Sequence, residues 1–285
     1  MKNPLSEHNV KTCGLHFSLS VIIIVAGLIF PIGSSAHGPL HEQIQRLTKE
    51  IAQFPDSAGL YLQRGELHRH HQDWKAALAD YGSADSLAPH LAMVDLCRGK
   101  MFLEARLPEQ AKGAVERFLS KAPNDAEGLL TRGRALVQLG LHSPAADDFT
   151  RAIQNLEMPQ PEHYFERSQA LVAAGRMIEA LHGIDEGIKR LGEIVTLQVY
   201  AIDLEIKLQC YDAALARLEK VASQSPRKEK WLSRRGEILQ MAGRDEEARQ
   251  AFQAALREIE SLSPQHRNTK TIIDLEKRVR SAIGT

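Results

Sequence analysis

Histidine is the residue type whose placement first suggests chemistry in this chain. His37, His41, His68, His70 and His71 crowd its front. Cleavage after Ala36 would make His37 the first residue, placing an amine and an imidazole on one residue. That pair chelates copper, and His41 or His70 is positioned in the sequence to complete the set. The plainer reading is a polar terminus beside a surface patch, with His68 filling an aromatic position. No metal or cofactor is therefore assigned, and His37 and His41 stay as the residues to test. The cysteines give less. Beyond residue 36 there are Cys97 and Cys210, too distant in the expected array for a disulfide, which needs Cα atoms within about 7 Å. Both are expected as free, mostly buried thiols.

Catalytic spacing is absent. No Gly-x-Ser-x-Gly, Cys-x-x-Cys or His-Glu-x-x-His pattern occurs, and no glycine-rich loop is placed to cradle phosphate. The expectation is a chain that is not an enzyme. Arginine does recur with order: Arg64, Arg98, Arg132, Arg167 and Arg235 each precede one position of the repeat. An electropositive ladder for an acidic partner is one reading. Ion pairs within the repeat are the favoured one, because Asp80 and Asp148 follow Arg64 and Arg132 by 16 residues. Exposed pairs of this kind contribute about 0–1 kcal/mol, so their use is register more than stability.

The elements that must position these residues follow from a period. Gly65, Gly99 and Gly133 are 34 apart, as are Ala77, Ala111 and Ala145. Ala180, Ala214 and Ala248 continue the second column after a slip of one residue, and Pro89 and Pro123 repeat the same interval. Apolar residues at three and four spacing between these marks predict helices. The predicted pairs are 58–71 with 74–87, 92–105 with 108–121, 126–139 with 143–156, 161–174 with 177–190, 195–208 with 211–224, and 229–242 with 245–261. Small residues in register let two helices approach closely, where a large aliphatic would force them apart. Tyr61, Tyr81, Phe149, Tyr164 and Phe252 are expected to fill the spaces between successive pairs.

Several columns keeping phase together resemble the tetratricopeptide repeat. The first unit reads Tyr61, Gly65, Ala77, Tyr81, Ala84, Pro89. The third reads Leu129, Gly133, Leu136, Ala145, Phe149, Ala152, and the sixth Leu232, Gly236, Ala248, Phe252, Ala255. The second reads Gly99, Phe102, Ala111, Val115, Pro123. Units four and five depart from the pattern, with Ser168 and Ile202 in the glycine column and Gly187 and Val221 where alanine is usual. Ile202 is expected to loosen its neighbourhood. The resemblance implies an all-α, right-handed superhelical solenoid of about six hairpins over 55–264. A flanking helix at 37–54 (Leu40 to Phe54) and a capping helix in 265–285 (Ile272 to Ile283) close its ends.

In similar repeats the inner face of each first helix lines a concave channel for a peptide or a helix. Carried onto this chain, that face offers Glu66, Arg69, His70, Lys100, Glu104, Arg134, Gln138, Gln169, Asp203 and Lys207. Their mixed signs argue against a strongly charged ligand. Gln63, Cys97 and Thr131 occupy the position where an asparagine grips a C-terminal carboxylate in some members, so that mode is not expected.

Composition bounds the partner. Lys plus Arg equals Asp plus Glu at 36 each, so a net charge of zero leaves no footprint for nucleic acid. Only 5% of residues are aromatic, which suits helix pairs packed through Ala, Leu and Gly. Residues 1–36 differ in kind: Lys2 and Lys11, then an apolar run from Leu15 to Ile32, then Ser34-Ser35-Ala36. That order is a secretory signal peptide, which predicts a periplasmic or secreted protein. An uncleaved anchor facing the periplasm is the alternative, since about 18 apolar residues just span a bilayer. The expected function is a non-catalytic scaffold for an unidentified protein or peptide, of open oligomeric state, touching membrane only through an uncleaved leader. The alternatives are a periplasmic metal-handling accessory protein and a membrane-tethered assembly or secretion factor.

Overall fold

The computed structural model describes residues 38–284, so the leader read from 1–36 lies outside the described residues. Residues 40–284 belong to one compact unit. Among the described residues every regular element is a helix. A flanking helix α1 (Gly38–Gln53) precedes six hairpins: α2 (Ala58–His70) with α3 (Trp74–Leu87), α4 (Ala92–Glu104) with α5 (Pro108–Lys121), and α6 (Ala126–Gln138) with α7 (His142–Asn155). The remaining three are α8 (Pro161–Ala173) with α9 (Met177–Leu191), α10 (Val195–Lys207) with α11 (Tyr211–Ser223), and α12 (Glu229–Met241) with α13 (Asp245–Ser261). A four-residue turn, α14 (Pro264–Arg267), which the periodicity did not announce, leads into the cap α15 (Lys270–Ile283). None of these helices is long and apolar enough to cross a membrane.

Local chemistry sets the hairpins. Asp73 and Asp125 cap α3 and α6 by accepting the amides of Ala76 and Gly128 at 3.1 and 2.8 Å. Pro108 and Pro161 begin α5 and α8, where a missing N–H costs no helical bond. Each hairpin turns through one left-handed residue. Three are glycines (Gly140, Gly175, Gly243), and Gln72, Arg106 and Gln209 adopt the same conformation with φ of 60°, 61° and 59°.

Packing explains the small columns. A Cβ built on Gly65 would stand 2.6 Å from Tyr81 Cε1, on Gly133 2.8 Å from Phe149 Cε1, and on Gly236 2.5 Å from Phe252 Cε1. The aromatics therefore fill a notch inside their own hairpin, and not only the gap between successive pairs as expected from sequence. Tyr61 is half-buried instead, with Arg64 lying 5.7 Å from its ring centroid. Unit four inverts the arrangement. Tyr164 projects from the first helix, and Gly187 on the second makes room, since a Cβ there would meet Tyr164 Cγ at 2.8 Å. Unit five solves the problem aliphatically: Ile202 is 2% exposed and packs with Ala214, Leu218 and Ile238. It is a core residue, and burying such a side chain contributes about 1.5–3 kcal/mol. Yet α10 and α11 approach each other less closely than the helices of the glycine-bearing hairpins, as Ile202 in the glycine column leads one to expect.

The caps behave as a stack requires. Leu47 and Ile51 of α1 are buried, as are Ile272, Leu275 and Val279 of α15, which join Phe252 and Ile259. Phe54, counted in the α1 stripe from sequence, is 62% exposed just beyond the helix end. The thiols split as well. Cys97 is buried, while Cys210 is exposed, which corrects the expectation of two buried sulfurs. Cys210 stands at the N-cap of α11, where the hairpin turn passes over the surface.

Candidate binding face of the first helices

The 34-residue period stacks equivalent positions of α2, α4, α6, α8, α10 and α12, so charges one unit apart meet. Arg69 is held by Glu66 at 3.0 Å and also pairs with Glu104 of the next first helix. Lys100 pairs with Glu127 at the start of α6. Arg134 spans to Glu166 of α8 through two bonds of 2.7 and 3.1 Å, and Asp203 meets Arg234 of α12 at 2.7 Å. A charge taken from water needs a partner to be tolerated. Arg69 is only 7% exposed and has two.

Protonation follows from the same geometry. Burial alone would raise the Glu66 carboxyl, but hydrogen bonds from Arg69 and from the Tyr81 hydroxyl, at 2.5 Å, outweigh it and hold the group below its ordinary value. Burial and the adjacent Glu66 charge push the Tyr81 phenol up. The same two influences push the Cys97 thiol up to about 12, which leaves it protonated and unreactive at neutral pH.

Three pockets open along this face. The first, about 470 Å³, lies between α1, α2 and α4 and joins Leu47, Leu62, Leu67 and Met93 to Glu66 and Lys100. A second of about 470 Å³ carries Arg69, His70, Glu104 and Gln138. The third, about 460 Å³, adjoins it through Leu103 and Gln138 and includes Arg134, Val137, Glu166 and Gln169. Eight of the ten groove residues read from sequence thus line these pockets. Asp203 and Lys207 line none of the three. Asp203 is ion-paired as described, and Lys207 is exposed. Sequence reading missed the apolar column Leu103–Val137 and the bare Met93, although Leu103 and Val137 are 34 apart, because it carried over polar positions only. Val137 is 38% and Met93 42% exposed.

The arginine column turns inward. Arg64 grips Asp80 at 2.9 and 2.7 Å, and Arg132 grips Asp148 at 2.7 and 2.6 Å, as the 16-residue interval predicts. Arg98 reaches back to Asp85 at 2.9 Å, and Arg167 binds Glu186 and the Gly183 carbonyl, each at 2.8 Å. These four are internal fasteners. His37 lies outside the described residues. His41 is exposed and bonded to Gln45 at 2.9 Å. Among the described residues no three His, Cys, Asp or Glu side chains group as metal ligands. Paired charges separated by bare apolar side chains are suited to holding a chain by contact.

The comparisons with known proteins agree with this architecture. A tetratricopeptide repeat model matches residues 98–157, and a tetratricopeptide repeat-like domain model matches residues 184–275. No curated protein sequence matches the chain. One similar solved structure is a tetratricopeptide repeat protein from Parabacteroides merdae, 21% identical, with a TM-score of 0.51 over 85% of this chain and 93% of that one. Another is PilF of Pseudomonas aeruginosa, 13% identical, with a TM-score of 0.50 over 78% of this chain and 97% of that one. At such identities the likeness concerns the fold.

Proposed function

We propose that this chain, a tetratricopeptide-repeat protein, is a non-catalytic adaptor that holds a segment of a partner protein against its first helices. Its repeats make it a scaffold for protein–protein interaction. The finer reading rests on one observation: charges along α2, α4, α6 and α8 are spent on each other between consecutive helices. What remains available to a visitor on those four helices is the apolar relief of Met93, Leu103 and Val137, with uncharged Gln138 and Gln169 beside it, while Arg46 of α1 and Arg106 of the α4–α5 turn stand at the pocket edges. A segment of low net charge, with apolar side chains spaced to enter successive pockets, matches that relief. Closed ion pairs also disfavour an acidic or basic intruder, which would have to break them and leave a half-buried charge alone.

Site-specific photocrosslinking tests this. A benzophenone side chain at Val137 or Gln169 is expected to capture one discrete partner, while the same group at exposed Ile178 on the second-helix side captures none. Labelling from Ile178 alone would place the interaction elsewhere. Export is part of the same proposal, supported by the order of charge, apolar run and small residues in 1–36. N-terminal sequencing of protein recovered from its native compartment should begin at His37. A mature start at Met1 would favour the tethered assembly or secretion factor instead.

A further inference from the structure

Four arginines of the inward column take a carboxylate from one of three places: 16 residues ahead (Asp80, Asp148), 19 ahead (Glu186) or 13 behind (Asp85). For Arg235 those three positions are Ala251, Ala254 and Ala222. Every acid that closes this rung elsewhere is missing in unit six, and Arg235 is exposed. Glu247 is near enough to feel its charge but is already bound by Arg244 at 2.6 Å.

Arg235 does not stand over open solvent alone. It borders a cleft of about 270 Å³ between α11 and α12, lined by Leu215, Trp231 and Leu232. Lys228 also borders it, but its amine caps the end of α11 by donating to the Ala222 carbonyl at 2.7 Å. Glu219 is on the rim and forms no ion pair with Arg235 among the described residues. The volume suits a single bulky side chain, and Arg235 is the guanidinium left to receive an anion.

We propose that this cleft is a second docking site, for a partner segment that seats a bulky aliphatic side chain against Trp231 and gives an adjacent Asp or Glu carboxylate to Arg235. The incoming acid takes the place of the one the repeat lacks. The site is on the α11–α12 joint, away from the first-helix pockets, and stands independently of the adaptor reading.

Nuclear magnetic resonance of the two tryptophan indole protons provides the test, with Trp74→Phe assigning the Trp231 signal. The probes are the capped dipeptides acetyl-Leu-Glu-amide and acetyl-Leu-Gln-amide. The glutamate peptide is expected to move the Trp231 signal saturably. Arg235→Gln, which removes no hydrogen bond of the fold, should weaken that response about fivefold, RT ln 5 being about 1 kcal/mol. Equal responses to both peptides, an unchanged response in Arg235→Gln, or no response at all would overturn the proposal. So would a Trp231 shift that depends on protein concentration without peptide, because a second copy of the chain would then fill the cleft.

Discussion

Gly236→Ala isolates the packing rule on which the stack depends. Alanine in a helix interior is favoured over glycine by about 1 kcal/mol, so helix propensity alone predicts a more stable protein. Packing opposes it. The new methyl would lie 2.5, 2.6 and 2.7 Å from Cε1, Cδ1 and Cζ of Phe252, roughly 1 Å inside the optimal carbon–carbon separation of about 3.5–4.0 Å. Phe252 is 2% exposed, so its ring has nowhere to go without moving α13 from α12. Overpacking costs about 1–3 kcal/mol. Three contacts under 3.0 Å against a buried ring belong at the upper end, about 2–3 kcal/mol, so after the propensity gain of about 1 kcal/mol a net loss of about 1–2 kcal/mol is expected. At about 2–4 °C per kcal/mol for a chain of this size, the midpoint followed by circular dichroism at 222 nm should fall several degrees. Gly133→Ala, whose methyl would meet Phe149 at 2.8–3.1 Å, should fall less. Gly113→Ala in α5 meets nothing within 4 Å and should rise, by up to about 1 kcal/mol. Phe252→Leu in the Gly236→Ala background should cost less than it does alone, because smaller bulk relieves the clash. If Gly236→Ala proved as stable as the parent, or if all three alanines moved the same way, the notch-and-ring account would be wrong.

Two further outcomes follow from protonation and exposure. The folded Glu66 carboxyl sits below its ordinary value, so its stabilising contribution is complete above about pH 4.5 and is lost as the pH falls through the lower, folded value. Glu66→Gln should therefore lower the urea midpoint at pH 7, with the gap to the parent shrinking toward pH 3; a gap independent of pH would refute the assignment. In protein lacking residues 1–36, Ellman's reagent should titrate one thiol, Cys210, within minutes, and Cys97 only on unfolding. Prompt reaction of both would show that α4 opens readily.

The ends of nearly every helix were legible because their determinants are local. Aspartate caps, a proline in the first turn and glycine at three of the hairpin turns act within a few residues of themselves. At the other three turns the period placed the break but not the backbone: nothing in the side chains of Gln72, Arg106 and Gln209 signals the left-handed conformation that the hairpin imposes on them. Cys210 was misjudged for a related reason. It falls inside the fifth unit, but as the N-cap residue of α11 it lies on the hairpin turn, and its exposure depends on which side of that turn faces the neighbouring unit.

By itself the sequence determined the number of hairpins, their order and the pairing of Arg64 with Asp80 and Arg132 with Asp148. These depend on intervals of at most one repeat, and a 34-residue period carries them whatever the distant chain does. Only the tertiary structure decided that the groove's charges close on one another across units, that Tyr164 and Gly187 exchange the usual roles of ring and notch, and that Arg235 is left beside an open cleft. Those outcomes depend on distances between side chains of separate helices, which are set by how each hairpin seats on the next.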